Sequence, residues 1–333
     1  MNMPPLFQIE PLPSPALTGI AKLAASGRTL EAKRNVQYRD LPTRHWITRC
    51  STERMPFAWT INPYRGCEFG CKYCYARYTH EFMELHGIDD FETEIYAKHW
   101  HAPNFAAELR RIDRAETIAI GTATDPYQPA ERRYELTRKM LAVFAQERGR
   151  RVHLITKSDL ITRDIDLFEK IALHNRISLT ITITTTDAAL ARLLEPMAPR
   201  PELRLRAIKS LAGAGLTVSV NADPVLPMIT DSEVNLDRVA AAAARAGAVG
   251  FHGGLLFLKP CAQRVFFPFL EKEFPKLMKR YHARYAMGAY LKGEYPKLIE
   301  DRVRAIRKRY RLDGNTRTWE SDQPQPGEQL SLY

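Results

Sequence analysis

Apolar and polar positions along this chain change rhythm at residue 59. Before it, proline and mixed polar residues follow no clear period, so residues 1–58 read as an irregular lead-in. After it, short β-branched runs alternate with helix-length amphipathic stretches. The runs are WTINPY (59–64), TIAIGT (117–122), VHLITK (152–157), ISLTITIT (177–184), LTVSVNA (216–222) and VGFHGGLLFL (249–258). Between them stand RRYELTRKMLAVFAQE (132–147), RDIDLFEKIALHN (163–175), RPELRLRAIKSLAGAG (200–215) and DSEVNLDRVAAAAARAG (231–247). Parallel strands require crossover connections, which helices supply, and repeated right-handed crossovers curl a sheet into a barrel. The runs are nearly unbroken, as in strands covered on both faces. The predicted fold is α/β, a partial (β/α)6 TIM-type barrel over 59–260, preferred to a doubly wound sheet.

Past residue 260 the strand patterns stop. The stretches VFFPFLEKEFPKLMKRYHARYAMG and PKLIEDRVRAIRKRYRL predict a helical C-terminal region over 261–312. Residues 313–333, DGNTRTWESDQPQPGEQLSLY, are polar and proline-bearing, the composition of a disordered tail.

Composition sets the surroundings. With 333 residues and 45% apolar content the chain can fill a core. Its start, MNMPPLFQIEPLPSP, lacks a basic opening and an apolar run, and no eighteen-residue apolar window occurs. The expectation is a cytoplasmic protein with no membrane partner. Lys and Arg outnumber Asp and Glu by 49 to 38, a net charge of +11, which admits a polyanionic partner such as DNA or RNA without identifying one.

The chemistry is concentrated in RGCEFGCKYCYAR (65–77), which carries Cys67, Cys71 and Cys74, three of the chain's five cysteines. A cytosolic cysteine cluster reads as metal-binding or catalytic before it reads as disulfide-forming. It follows the first predicted strand, and parallel α/β folds place their chemistry at the carboxyl ends of strands. Soft thiolates select zinc, copper(I) or iron–sulfur clusters. Three of them leave one metal of a four-iron cube open to an outside ligand. The zinc alternative needs a fourth ligand, and His80 is the candidate.

The pattern CxxxCxxC, with Tyr73 just before the third cysteine, resembles the cluster loop of the radical S-adenosylmethionine enzymes. NPYRGCEFGCKYCYAR, GTATDPYQPAERR, ITKSDLITRD, ISLTITITTTD followed by LEP, and VSVNADPVLP narrow the resemblance to the spore photoproduct lyase-like branch, over roughly 59–260. It implies a partial (β/α)6 barrel in which Cys67, Cys71 and Cys74 hold a [4Fe–4S] cluster. S-adenosylmethionine would chelate the fourth iron, and an electron donor would be a partner. It further implies that Gly121, Thr122, Thr124 and Asp125 meet the cofactor's methionyl end. Lys157 would face its carboxylate, Thr184 would contact ribose or carboxylate, and Tyr73 would lie beside the adenine. As residues alone, Lys157 is a surface cation at a strand end, Asp125 a turn former and the threonine run strand propensity. One departure stands out: Thr122 occupies the place where the lyase is expected to carry a hydrogen-donating cysteine. Cys50 and Cys261 are the remaining thiols.

Two peripheral features complete the reading. In EDRVRAIRKRYR, Val303, Ile306 and Tyr310 recur at helical spacing, leaving Arg304, Arg307, Lys308 and Arg311 outside as a solvated face or a phosphate contact. The ending GEQLSLY resembles the pentapeptide by which bacterial proteins dock on the DNA polymerase sliding clamp, with Gln329, Leu330, Leu332 and Tyr333 as anchors. The function expected is a radical S-adenosylmethionine enzyme acting on nucleic acid, in repair or base modification. The alternatives are the same chemistry on a protein or small metabolite, and a non-catalytic zinc module binding nucleic acid.

Overall fold

The computed structural model describes residues 17–33, 35–50 and 55–314. In chain order the strands are β1 (Thr29–Lys33), β2 (Val36–Leu41), β3 (Ile47–Arg49), β4 (Trp59–Ile61), β5 (Tyr64–Arg65) and β6 (Glu94–Lys98). They continue with β7 (Thr117–Ile120), β8 (Arg151–Thr156), β9 (Arg176–Thr182), β10 (Val218–Asn221) and β11 (Gly250–His252). The main sheet has seven strands in the order β11-β10-β9-β8-β7-β4-β3. From β4 to β11 every pairing is parallel, and these are the six runs read from the sequence. Strand β3 adds antiparallel to β4, and the two edge strands do not meet, so the barrel is partial.

These strands read as covered on both faces, and the two faces differ in polarity. Cross-strand partners share a face and side chains alternate along a strand. On one face Ile61, Ile118, Ile120, Val152, Leu154, Leu179, Ile181, Val218, Val220 and Phe251 are buried in the main core. On the other, the register aligns Thr60, Ala119, His153, Ser178, Thr180, Ser219, Asn221 and His252. The helices cover the first face only, so the inner face is free to be polar.

Helices Ile165–Ala172, Pro201–Gly213 and Glu233–Ala246 fall within their predicted stretches. The stretch 132–147 instead breaks into Glu131–Tyr134 and Leu136–Phe144 around Glu135, whose φ is +51°. The buried Glu131 carboxylate causes the break. It accepts from Thr137 N at 2.9 Å and Arg138 N at 3.1 Å, capping the second helix.

Residues 17–50 are more regular than the irregular lead-in expected. They form a helix (Gly19–Ser26) and β1 to β3, and β1, β2, β6 and β5 make a second, four-stranded sheet. In β2 only Tyr38 and Leu41 are buried, too sparse a pattern to show as a period. The C-terminal region is helical as expected, with Pro260–Glu273, Met278–Tyr285 and Glu294–Arg309. Asp313 and Gly314, assigned to the tail by sequence, instead join the sheet edge. Asp313 bridges Gly250, and Gly314 N donates to Val249 O at 2.9 Å. The rest of the tail, with Gln329, Leu330, Leu332 and Tyr333, lies outside the described residues. No helix among the described residues is long and apolar enough to cross a membrane.

Candidate functional site

The cysteine loop leaves β5 through Gly66, whose φ is +80°. A Cβ there would come within 2.9 Å of Glu94 O and Phe91 O, so the turn admits only glycine. The loop is then fixed from several sides. Thr124 Oγ1 and Gln128 Nε2 both donate to Gly66 O, at 2.5 and 3.0 Å. Glu68 N donates to Gln128 Oε1, while the Glu68 carboxylate accepts from Ala130 N and Tyr38 OH, each at 2.8 Å. Arg77 donates to Cys71 O at 3.3 Å and pairs with Glu92. A loop tied this way presents its three thiols in a preset arrangement.

Cys67 and Cys71 are buried and Cys74 partly so, and all three are free thiols. Burial raises all three thiol pKa values, that of Cys71 to about 12, against a lowering pull from Lys157 on Cys71 and Cys74. Thiols in that state become thiolates when a metal binds them.

Among the described residues, no three His, Cys, Asp or Glu side chains converge to hold a single metal ion. Tetrahedral zinc needs all its ligands about 2.0–2.3 Å from one point. A four-iron cube takes its thiolates on different irons, which suits three separated cysteines. His80 Nε2 is engaged with Glu94 O at 2.9 Å and its buried Nδ1 has no partner, but His80 belongs to no such converging group of three among the described residues. The zinc reading through His80 is therefore set aside.

Lys157 follows β8 with its Nζ 5.7 Å from the Tyr73 ring centroid. Burial works to lower its pKa, but Cys71 and Glu195 outweigh that and hold it above the usual lysine value. Its ammonium has no hydrogen bond or ion pair among the described residues. A desolvated cation beside the thiols, with no carboxylate in direct contact, suits a carboxylate ligand.

Tyr73 belongs to a buried knot. Its hydroxyl donates to Glu195, which also accepts from Thr184 Oγ1 at 3.2 Å and pairs with Arg204. Arg204 further donates to Thr182 O at 2.9 Å and Pro199 O at 2.8 Å. Thr184 thus holds Glu195 through its hydroxyl hydrogen, and its oxygen keeps lone pairs with which to accept from a ribose hydroxyl.

The segment after β7 is similarly self-engaged. Gly121 has φ +90°, and a Cβ there would meet Ile155 O at 2.4 Å. Thr122 Oγ1 accepts from Asn62 Nδ2 at 3.2 Å, and Thr124 is tied to Gly66. Asp125 accepts from Thr156 Oγ1 at 2.6 Å, Lys157 N at 2.8 Å and Tyr127 N at 2.9 Å. Asp125 therefore fixes the end of β8, and with it the backbone of Lys157.

Sequence reasoning missed Glu195 and Arg204 as a pair, although Arg204 stands on the buried face of its helix with Pro201, Ala207, Ile208 and Leu211. It also missed Asn221, at the end of β10, whose buried Oδ1 has no partner. A ligand hydroxyl would satisfy it. On the inner face His153 Nδ1 lies 2.8 Å from Ser178 Oγ, and burial with neighbouring His252 pulls the His153 pKa down to about 4.

At the carboxyl end of the sheet an aromatic rim borders this site. Tyr75, one residue past Cys74, bonds through its hydroxyl to Thr122 O and lies 6.0 Å from Phe257. Phe257 stacks on Tyr290 at 4.3 Å, and Lys259 Nζ sits 3.8 Å from the Tyr78 ring centroid. Cys261 Sγ bonds to Tyr75 O at 3.9 Å, and Cys50 is half-buried.

The basic helix is less cationic than its sequence. Arg304 pairs with Asp301 at 2.8 Å, Arg307 with Asp313 at 3.1 Å and Arg309 with Glu233 at 3.1 Å. Of the expected phosphate contacts only Lys308 and Arg311 lack an ion pair among the described residues.

Comparison with known proteins gives a consistent grouping. The family model described as the Radical SAM superfamily matches residues 61–239, from the end of β4 to the middle of the Glu233–Ala246 helix. An uncharacterized protein of Mycobacterium tuberculosis is 37% identical over 264 residues, 79% of this chain and 77% of that protein. An uncharacterized protein of Methanocaldococcus jannaschii is 29% identical over 175 residues, 53% of this chain and 63% of that protein. Spore photoproduct lyase complexed with dinucleoside spore photoproduct superposes with a TM-score of 0.63 at 17% identity, covering 91% of this chain and 85% of that one. A mutant of it with bound AdoMet and the same photoproduct gives 0.61 at 18%, covering 80% and 77%. At such identity the likeness is one of fold.

Proposed function

We propose, from the premise that the chain belongs to the radical S-adenosylmethionine superfamily, that its substrate is a nucleic acid and its reaction lyase-like repair or base modification. Members of the family use a [4Fe–4S] cluster and S-adenosylmethionine, and these are its cofactors. When bound, they supply a one-electron cleavage of the sulfonium that releases a 5′-deoxyadenosyl radical.

The chain's own residues bind and shield. Cys67, Cys71 and Cys74 would hold the cluster, in a loop that Thr124, Gln128 and Arg77 keep in place. Lys157 would take the cofactor's carboxylate, its position set by Asp125 through the Lys157 N–H. Tyr73, kept upright by Glu195, would wall one side, and Asn221 Oδ1 would accept from a cofactor or substrate hydroxyl. Thr122 fixes Tyr75 through its carbonyl. Its hydroxyl cannot give up a hydrogen atom as a thiol does, so the reaction differs from that expected of the lyase in its last step.

The observation that carries the nucleic-acid reading is the rim of Tyr75, Tyr78, Phe257 and Tyr290 with Lys259 against it. Any base can stack on an aromatic face, at about 1–3 kcal/mol per base, while a lysine beside it answers the backbone phosphate. The net charge of +11 and the lyase-like fold, whose solved relative holds a dinucleoside photoproduct, support the same reading. The paired helix 294–309 adds little, and the clamp contact of the tail stays a separate proposal.

The test is fluorescence anisotropy with labelled single-stranded and duplex oligonucleotides across salt. Wild type should bind with steep salt dependence, and Lys259→Ala/Tyr290→Ala should bind roughly tenfold more weakly while Arg304→Glu changes little. If wild type binds neither DNA nor RNA, or the rim variant binds equally well, the reading fails and a protein or small-metabolite substrate takes its place.

A further inference from the structure

Beside the cysteine loop lies a cavity of about 590 Å³. Its wall carries Arg132, Arg192, Arg200 and Arg206, together with Phe69 and Met197. Against these four arginines the same wall has two acids, Asp159 and Glu202. All four arginines are exposed, and Arg132, Arg200 and Arg206 have no ion pair among the described residues. Met197 is 66% exposed and nearby Leu193 41%. Exposed apolar side chains among mostly unpaired cations are the pattern of a transient protein contact.

The position of this wall gives the pattern its meaning. Phe69 stands between Cys67 and Cys71, and its carbonyl accepts from Met197 N at 3.1 Å. Lys72 N, within the same loop, donates to Leu194 O at 2.9 Å. The wall is thus joined by backbone bonds to the segment that carries the thiols. Lys157, Tyr73 and Asn221, the residues assigned to cofactor and substrate, do not line the cavity.

We infer that this arginine-bordered cavity is the docking surface for the electron donor, and that the donor is a small acidic protein carrying a flavin or iron–sulfur centre. One electron passes from the donor's reduced centre to the bound cluster. The donor is oxidised by one electron and the cluster reduced by one, and no atom is transferred. Electron tunnelling falls off exponentially with distance, so a donor must reach a surface close to the thiol loop, and this wall is bonded to that loop through Phe69 O and Lys72 N. Four arginines select an acidic face and speed its arrival, while the small area keeps the contact brief. A phosphodiester strand would also suit arginines. However, none of Tyr75, Tyr78, Phe257, Lys259 or Tyr290, the rim that would take the bases, lines this cavity.

The experiment is anaerobic calorimetry of cluster-loaded protein titrated with purified flavodoxin, and separately with a ferredoxin, at low and high salt. Wild type should bind at least one of them with affinity that falls as salt rises. Arg132→Glu/Arg206→Glu should weaken that binding by roughly tenfold or more. Dithionite needs no docking face, so it should reduce the cluster of both proteins to the same electron paramagnetic resonance signal, showing that the variant is folded and loaded. The inference is overturned if wild type binds neither donor or if the variant binds as tightly as wild type. It is equally overturned if the variant loses affinity for a DNA oligonucleotide while keeping its donor, which would make the cavity a nucleic-acid contact.

Discussion

Replacing Arg204 by Met should destabilise the protein by leaving a carboxylate alone in the core. Arg204 is 1% exposed and Glu195 also 1%, and they form an ion pair that Tyr73 and Thr184 complete from the other side. Burial works to raise the Glu195 pKa, yet Arg204 and Lys157 together hold it below the ordinary glutamate value. In the wild type, therefore, Glu195 contributes stability that is present above its unfolded pKa and lost as pH falls through the lower folded one. Breaking a buried pair from one side costs about 3–5 kcal/mol. Lys157 remains nearby to soften the loss, so the lower end, about 3 kcal/mol, is expected. At about 1–2 °C per kcal/mol for a chain of this length, Tm should drop by about 3–6 °C at pH 7.

Without its cation the Glu195 pKa should rise, so acidification should favour the folded variant relative to wild type and narrow the gap at pH 5. The assay is circular dichroism melting at fixed scan rate, for Arg204→Met in wild-type and Glu195→Gln backgrounds. In the second background Arg204 is itself a buried cation without its carboxylate, so replacing it removes a stranded charge and the cost should shrink to about 1 kcal/mol or less, from the carbonyls of Thr182 and Pro199 that lose their donor. A shift under about 3 °C, or one equal in both backgrounds and insensitive to pH, would refute the reasoning.

Wild-type protein reconstituted anaerobically should hold about four irons per chain, and the Cys67/Cys71/Cys74→Ala triple variant none. Lys157→Ala should keep that iron but bind S-adenosylmethionine about 10–100-fold more weakly, the worth of a hydrogen bond to a charged group; equal affinity in calorimetry would remove Lys157 from the cofactor site. Deleting residues 329–333 should abolish binding to the sliding clamp in a pull-down while leaving S-adenosylmethionine cleavage intact, and retained binding would dismiss the tail contact.

The sequence by itself determined the parallel strands, the crossover helices and the three cysteines. Each is a local pattern: a β-branched run bounded by turns, an apolar stripe, a spacing within one loop. Residues 17–50 were not legible because β2 buries only Tyr38 and Leu41, and its partner β6 is far along the chain. Nor did the sequence show what side chains do with one another across long separations. Asp125 and Thr184 looked alike as polar groups at strand ends. Folding gives Asp125 the backbone of Lys157 and gives Thr184 the carboxylate of Glu195, so both act on neighbours first. Arg307 looked like a free cation until the turn after the helix supplied Asp313, whereas Arg304 has its partner Asp301 three residues away on the same helix. The polar inner face of the barrel, the Glu195–Arg204 pair and the arginine-bordered cavity all depend on which strand lies beside which. A composition of hydrogen bonds and charges becomes a site only once distant segments are adjacent, because those interactions act over a few ångströms while the sequence separates their partners by tens of residues.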